Sequence, residues 1–136
     1  MGILDFNMNN VFDLEKLPDN TTLELRIERV EPKTAKSGRP MLLVILSDPT
    51  NDKAEEIFEN MLFPASTDTP KQANRYLSDF RNFCTAFGTQ IDEITDESVT
   101  QLVGQKGWVT LTTEPADPKV ANSKERQQIA SVIKPR

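Results

Sequence analysis

Thr69-Pro70-Lys71-Gln72-Ala73-Asn74-Arg75-Tyr76-Leu77-Ser78-Asp79-Phe80-Arg81-Asn82-Phe83-Cys84-Thr85-Ala86-Phe87-Gly88 is the stretch on which the fold turns. Thr69 has the chemistry of a helix cap, Pro70 suits the first helical position, and Gln72 stands where a capping box needs it. Ala73, Tyr76, Leu77, Phe80, Phe83, Cys84 and Phe87 then recur at three- and four-residue spacing. Gly88 follows as a C-terminal stop. The pattern predicts an amphipathic helix of about 18 residues whose apolar stripe lies against the rest of the domain.

On either side of this helix the period changes from helical to two. Upstream, Leu23, Leu25 and Ile27 alternate with Glu24, Arg26 and Glu28, which predicts a half-exposed strand over 22–31. Val30 breaks the phase beside Arg29, so a bend or bulge is expected there. Lys33 to Arg39 reads as a loop, with Gly38 permitting backbone shapes that other residues resist. Met41 to Leu46 is a continuous apolar run, expected to be a strand buried on both sides. Asp48-Pro49-Thr50-Asn51-Asp52 is a turn. Ile57 to Phe63 is a third strand, ended by Pro64.

Downstream, Asp96 to Leu102 predicts a short acidic helix ended by Gly104, and Trp108 to Thr113 a β-branched strand. Glu114 to Lys124 is a polar loop holding Pro115 and Pro118, and Gln127 to Ile133 is a last strand. Residues 1–20 read as a flexible lead-in, with Phe6 and Phe12 available to pack back, and 21–136 as one domain. The order strand, strand, strand, helix, strand, strand is that of a mainly-β, five-stranded OB-fold (oligonucleotide-binding barrel) with its helix between strands 3 and 4. Another small α+β sheet fits the same string.

Composition narrows the chemistry. The 136 residues contain no histidine and one cysteine, Cys84. The commonest general base and the usual zinc ligands are therefore missing, and no cofactor or metal is expected. Cys84 lies on the helical stripe, which predicts a buried, inert thiol. Asp92, Glu93, Asp96 and Glu97 resemble a hard-cation cluster, but acids ahead of a helix complement its dipole, and that reading is preferred. No apolar run reaches membrane-span length, and the opening residues lack the pattern of a secretory leader. A cytoplasmic protein without catalytic function is the expectation.

Net charge is −5, unevenly distributed. Acid concentrates in 1–21, 49–69 and 92–104, and base in 22–48, 70–91 and 105–136. The segment from Lys33 to Arg39 holds Lys33, Lys36 and Arg39 with no acid. In an OB barrel the ligand cleft crosses strands 2 and 3, flanked by the connectors between strands 1 and 2 and between strands 4 and 5. Those are the two most basic connectors here, the second holding Lys119 and Lys124 and leading to Arg126. Cations along a backbone track with aromatic faces under bases are what single-stranded nucleic acid requires. Arg26 and Arg29 on the first strand either reach phosphate or pair with Glu24 and Glu28 neighbours across strands. Phe58 lies in the opposite phase to Ile57, Met61 and Phe63 and is a cleft candidate. Trp108 alternates with Thr110 and Thr112 and is expected to face outward. Phe63, Phe80, Phe83 and Phe87 are assigned to the core, with Tyr76 at its edge.

Ile27-Glu28-Arg29-Val30-Glu31-Pro32-Lys33-Thr34-Ala35-Lys36-Ser37-Gly38-Arg39-Pro40-Met41-Leu42 resembles a family of phage-encoded single-stranded-DNA-binding proteins. A strand ending in Val-Glu, a Lys-x-x-x-Ser-Gly loop and a Met-Leu start to the second strand carry the resemblance. The helix ending Ala86-Phe87-Gly88, the step Leu102-Val103-Gly104-Gln105-Lys106 and the strand around Trp108 extend it over roughly residues 17–134. Two features depart from it. Pro18 is followed by Asp19-Asn20-Thr21-Thr22 where many relatives have Pro-x-Gly-x-Tyr, and the acidic, aromatic-tipped tail of bacterial housekeeping single-strand binders is absent. The resemblance implies an OB fold, coating of single-stranded DNA in phage replication or recombination, no catalytic residues, and work in the host cytoplasm. Replication or recombination proteins are the expected further partners, and exposed strand edges would allow homo-oligomers. An OB-type protein-interaction module in such a complex is the alternative, favoured by the acidic net charge.

Overall fold

The computed structural model describes residues 2–114 and 126–133. Strands β1 (Thr22–Thr34), β2 (Pro40–Ser47) and β3 (Ile57–Leu62) precede helix α1 (Pro70–Ala86). A 3-10 turn (Ser98–Leu102) and strands β4 (Lys106–Glu114) and β5 (Arg126–Ile133) follow. All ladders are antiparallel, in the order β3-β2-β1-β4-β5. The sheet curls into a nearly closed barrel with a single helix between the third and fourth strands, a mainly-β, OB-like fold.

The curl starts in β1. Its first residues, Thr22 to Arg26, pair with β4, and Arg26 onward pairs with β2. The register with β2 shifts between Ile27 and Arg29, leaving Glu28 as the extra residue of a bulge. The bend lies one to two residues before the break expected at Arg29 and Val30. An unpaired residue of this kind adds twist and lets one strand serve two walls of a barrel. The ladder also continues to Thr34, so Lys33 is a strand residue and the hairpin loop shrinks to 35–39. A second irregularity, beside Thr110 and Leu111, bends β4 against β5.

Alternation decides what is inside. Leu25 and Ile27 of β1, Leu42, Val44 and Leu46 of β2, Ile57 of β3 and Val109 and Leu111 of β4 are buried in one core. The double-sided burial expected for β2 holds only in part. Ile45 is buried on the outer side, but Met41 and Leu43 are half-exposed, because neighbouring side chains and not a second layer cover that face.

The helix has the Thr69–Gln72 capping box that the sequence predicts. Its stripe is buried only in the second half, where Phe80, Phe83, Cys84, Ala86 and the following Phe87 enter the core. Leu77 is 43% exposed, since the first turns run past the barrel's rim. Phe63 meets Phe80 edge-on at 5.1 Å between ring centroids. The end of α1 rests on β4 at Gly107, where an added Cβ would lie 2.8 Å from the Ala86 carbonyl oxygen and 2.9 Å from the Phe87 ring. Glycine is what permits that approach.

The lead-in is tied at its base. Glu15 pairs with the 53–55 segment through Glu15 N–H to Lys53 O (2.8 Å) and Glu55 N–H to Glu15 O (2.7 Å). Leu17 is in the core, and its backbone is gripped by Gln127, which accepts from Leu17 N–H and donates to Leu17 O. Ahead of Glu15, Phe6 is 86% exposed and Phe12 53% exposed, so neither is packed into the core.

Gln127 is buried and satisfies both backbone polar groups of Leu17. Gln127→Met keeps the volume and leaves both groups unpaired, which should cost about 2 kcal/mol or more in urea denaturation. Gln127→Glu should restore only the acceptor half.

Candidate nucleic-acid interface

The registers of β1, β2 and β3 define rows across the barrel's outer surface. Lys33, Met41 and Leu62 stand in one row, Glu31, Leu43 and Asn60 in the next, and Arg29, Ile45 and Phe58 in a third. Cations on β1 thus face apolar side chains on β2 and β3. Phe58 is 49% exposed, in the outward phase expected of it. Arg26 is in register with both Ser47 and Lys106, so it marks the line where the outer surfaces of β2 and β4 meet. Trp108 is 50% exposed and paired with Glu24, on the far side of β1 from Phe58. The two rings therefore do not form one platform. Lys106, exposed and in phase with Trp108, is a cation that the sequence reading passed over. Its signal was the alternation Lys106, Trp108, Thr110.

The carboxylates of β1 lie among these cations. Arg26 Nε donates to Glu28 at 2.9 Å. Glu28 also accepts from the Ser47 hydroxyl, and that bond first, with Arg26 second, holds its carboxyl below the ordinary range. Glu31 lies 3.7 Å from Arg29 and 3.5 Å from Lys33. The pairing seen for Arg26 and Arg29 runs along their own strand and not across strands, and Arg29 takes Glu31 in place of Glu24 or Glu28. These contacts are surface-exposed and worth little each, so an incoming phosphate can compete for the cations. Lys36, at the hairpin tip, is exposed and has no ion-pair partner among the described residues.

Arg39 has a different environment. Its guanidinium donates to Asp68 through both terminal nitrogens (2.6 and 3.0 Å) and to the Phe63 carbonyl (3.0 Å). It also lies 4.5 Å from the Tyr76 ring centre. Asp68 accepts from Ala65 N–H as well, and the Arg39 bond is the main reason its carboxyl is held down. Arg39 thus fastens the β1–β2 hairpin to the segment ahead of α1, with three of its five N–H donors occupied.

At the other end of the three-stranded face is an open hollow of about 870 Å³. Arg26, Arg29 and Phe58 line it, but so do Glu28, Asp48, Asp52, Glu55 and Glu56, so carboxylates outnumber cations there. Gln127 reaches the same hollow, which places the stem of the β4–β5 connector at this end, opposite the Lys33–Arg39 hairpin. Lys119 and Lys124 lie outside the described residues, as does the Arg126 side chain. The Arg126 backbone pairs with Glu114.

Glu59 was not singled out by the sequence, although it shares the inward phase of Ile57 and Met61. Its carboxylate sits at the seam between β3 and β5 and accepts from Ile129 N–H at 3.3 Å. Burial pushes its pKa above the usual carboxylate value. Cys84 is buried in the core, and its thiol is pushed up to about 11 by burial. Among the described residues, no group of three or more His, Cys, Asp or Glu is placed to hold a metal ion, and no helix is long and apolar enough to cross a membrane.

Compared with models of protein families and with curated proteins, the sequence finds no match in either.

Two outcomes follow from the buried groups. Cys84 should react with a thiol reagent at pH 8 only at the rate of global unfolding, checked by comparing native and urea-unfolded protein. Glu59 has a folded pKa raised above its unfolded one, so its ionised form destabilises the fold above the folded pKa. Glu59→Gln should therefore raise the melting temperature at pH 7, with the gain vanishing below about pH 4, where both states are protonated.

Proposed function

We propose that this barrel binds single-stranded DNA without catalysis or sequence preference, and that it coats strands during phage replication or recombination in the host cytoplasm. The observation that carries the reading is the outer face of β1, β2 and β3. Lys33 stands in register with Met41 and Leu62 and Arg29 with Ile45 and Phe58, and Arg26 follows on the same strand opposite Ser47. Cations follow a phosphate backbone and an exposed ring stacks on whichever base arrives, so sequence tolerance comes with the chemistry. Lys36 extends the cationic line beyond the strand, and Lys106 with Trp108 extends it across β4. Lys119, Lys124 and Arg126 belong to the proposal as the sequence framed it. Arg39 contributes by holding the hairpin in place. The likeness of residues 27–42 to phage single-strand binders supports the same reading.

A second reading is supported by the acid around the hollow and the net charge of −5. In it, the barrel is a protein-interaction module of a replication or recombination complex. Recovery of such a partner after nuclease treatment, together with no retention of DNA, would favour it.

The deciding experiment is a titration of fluorescent oligo-dT and duplex DNA at several salt concentrations. Single strands should bind more tightly, with affinity falling as salt rises by a log–log slope of about −0.7 per phosphate neutralised. Phe58→Ala should weaken binding by about tenfold, within the range of one stacked base. Lys33→Glu with Lys36→Glu should weaken it across all sequences and flatten the salt slope. Lys106→Glu should act in the same direction, with quenching of Trp108 fluorescence marking contact on β4. Absence of binding to single strands at low salt would overturn the proposal.

A further inference from the structure

The segment ahead of Glu15 exposes Ile3, Leu4, Phe6, Met8, Val11, Phe12 and Leu14, from 53% to 98% each. These seven side chains leave on the order of 1,000 Å² of apolar surface in water, comparable with what one partner of a standard protein interface buries. The charges among residues 1–15 are Asp5, Asp13 and Glu15, with no lysine or arginine. Such a segment is repelled by phosphate backbones and by anionic membranes, so its complement is a protein surface that is apolar and carries a cation.

The chain itself has such a surface. A groove of about 300 Å³ between the β1–β2 hairpin, the middle of α1 and the 94–99 segment is lined by Pro40, Met41, Pro64, Leu77 and Ile94, with Lys33 at its rim. Leu77 and Ile94 are 43% and 38% exposed. Asp96 is the acid lining this groove, and Lys33 is shared with Glu31 at 3.5 Å, an exposed pair that an incoming carboxylate can exchange. The volume suits one or two large side chains. Arm and groove lie at opposite ends of the same three-stranded face. The arm is rooted at the hollow that Leu14 lines together with Phe58 and Arg29, and the groove opens where Lys33 pairs with Met41. The arm lies in solvent and not in the groove of its own chain. About 12 residues at ~3.3 Å each give it a reach on the order of 40 Å.

We infer that the arm of one copy docks in the groove between hairpin and helix of another copy, with Ile3 and Phe6 against Met41, Leu77 and Ile94 and Asp5 near Lys33. Because donor and acceptor are different surfaces, the contact is head-to-tail and adds copies in a row along the outer face unless a ring closes. It does not depend on that face binding DNA, and its test uses no nucleic acid.

Sedimentation of the full chain from micromolar to sub-millimolar concentration should show mass rising with concentration. Ile3→Asp with Phe6→Asp should weaken association by about tenfold or more, as should Leu77→Asp or Ile94→Asp; all four residues are exposed, and circular dichroism checks that the variants fold. The arm variant and the Leu77→Asp variant, each defective alone, should form a one-to-one dimer when mixed, because one keeps its groove and the other its arm. A full chain that stays monomeric, association that survives the arm substitutions, or a mixture of the two variants that stays monomeric would each overturn the inference.

Discussion

A strand of 13 residues that hydrogen-bonds to β4 with its first part and to β2 with the remainder cannot stay flat. Two ladders sharing β1 force the sheet to turn at Arg26, which both neighbours claim, and the extra residue at Glu28 makes the turn possible. The remaining architecture follows from that bend. Once β1 folds around Leu25 and Ile27, the inner sides of β2, β3 and β4 converge on the same space. The second half of α1 fills it with Phe80 and Phe83, and Phe87 just beyond the helix joins them. The glycine at 107 belongs to the same constraint, since a sheet this tightly curled admits the helix end only where β4 lacks a side chain.

The bend also sets the electrostatics of the outer face. A bulge puts consecutive residues on one side, so Arg26, Glu28 and Arg29 crowd together where a flat strand would separate them. Each acid of that stretch is held by a cation or a hydroxyl of the same surface. The face is therefore neither a bare cationic track nor a neutral one. Its cations are pre-positioned but provisionally engaged, and a ligand has to exchange one set of surface ion pairs for another. Exchange of this kind is quick and sensitive to ionic strength, and it suits a sequence-tolerant contact better than a locked one.

Most of the fold was legible because its elements have clean periods. The helix was readable from its cap and stripe, and the strands from alternation around Leu25, Ile57 and Val109. What the pattern could not show was depth. Leu77 belongs to the helical stripe and yet lies outside, because a stripe says which residues align and not how far the partner surface extends. Met41 and Leu43 belong to an unbroken apolar run whose outer half lacks a covering layer. The site was less legible still. Phe58 and Trp108 were read correctly as outward-facing, but which walls they occupy depends on which strands pair with β1. Arg39 looks like any loop cation in sequence. Only the return of the chain at Asp68 and Tyr76 reveals its occupation, and that contact spans 29 positions. Glu59 was missed because a polar residue in an inward phase gives no signal of its own.

The Arg39 anchor has a bearing on the hairpin tip. Ala35 and Arg39 close the loop with a backbone hydrogen bond of 2.8 Å, and Gly38, at φ +87°, turns inside it to donate to Ala35 O at 2.8 Å. With one foot of that loop bolted to the helix lead-in, the backbone that carries Lys36 is braced, while its long side chain projects into solvent. A loop braced in this way has little backbone freedom left to surrender when the ammonium meets an opposite charge, and the ordering that remains is that of the side chain alone.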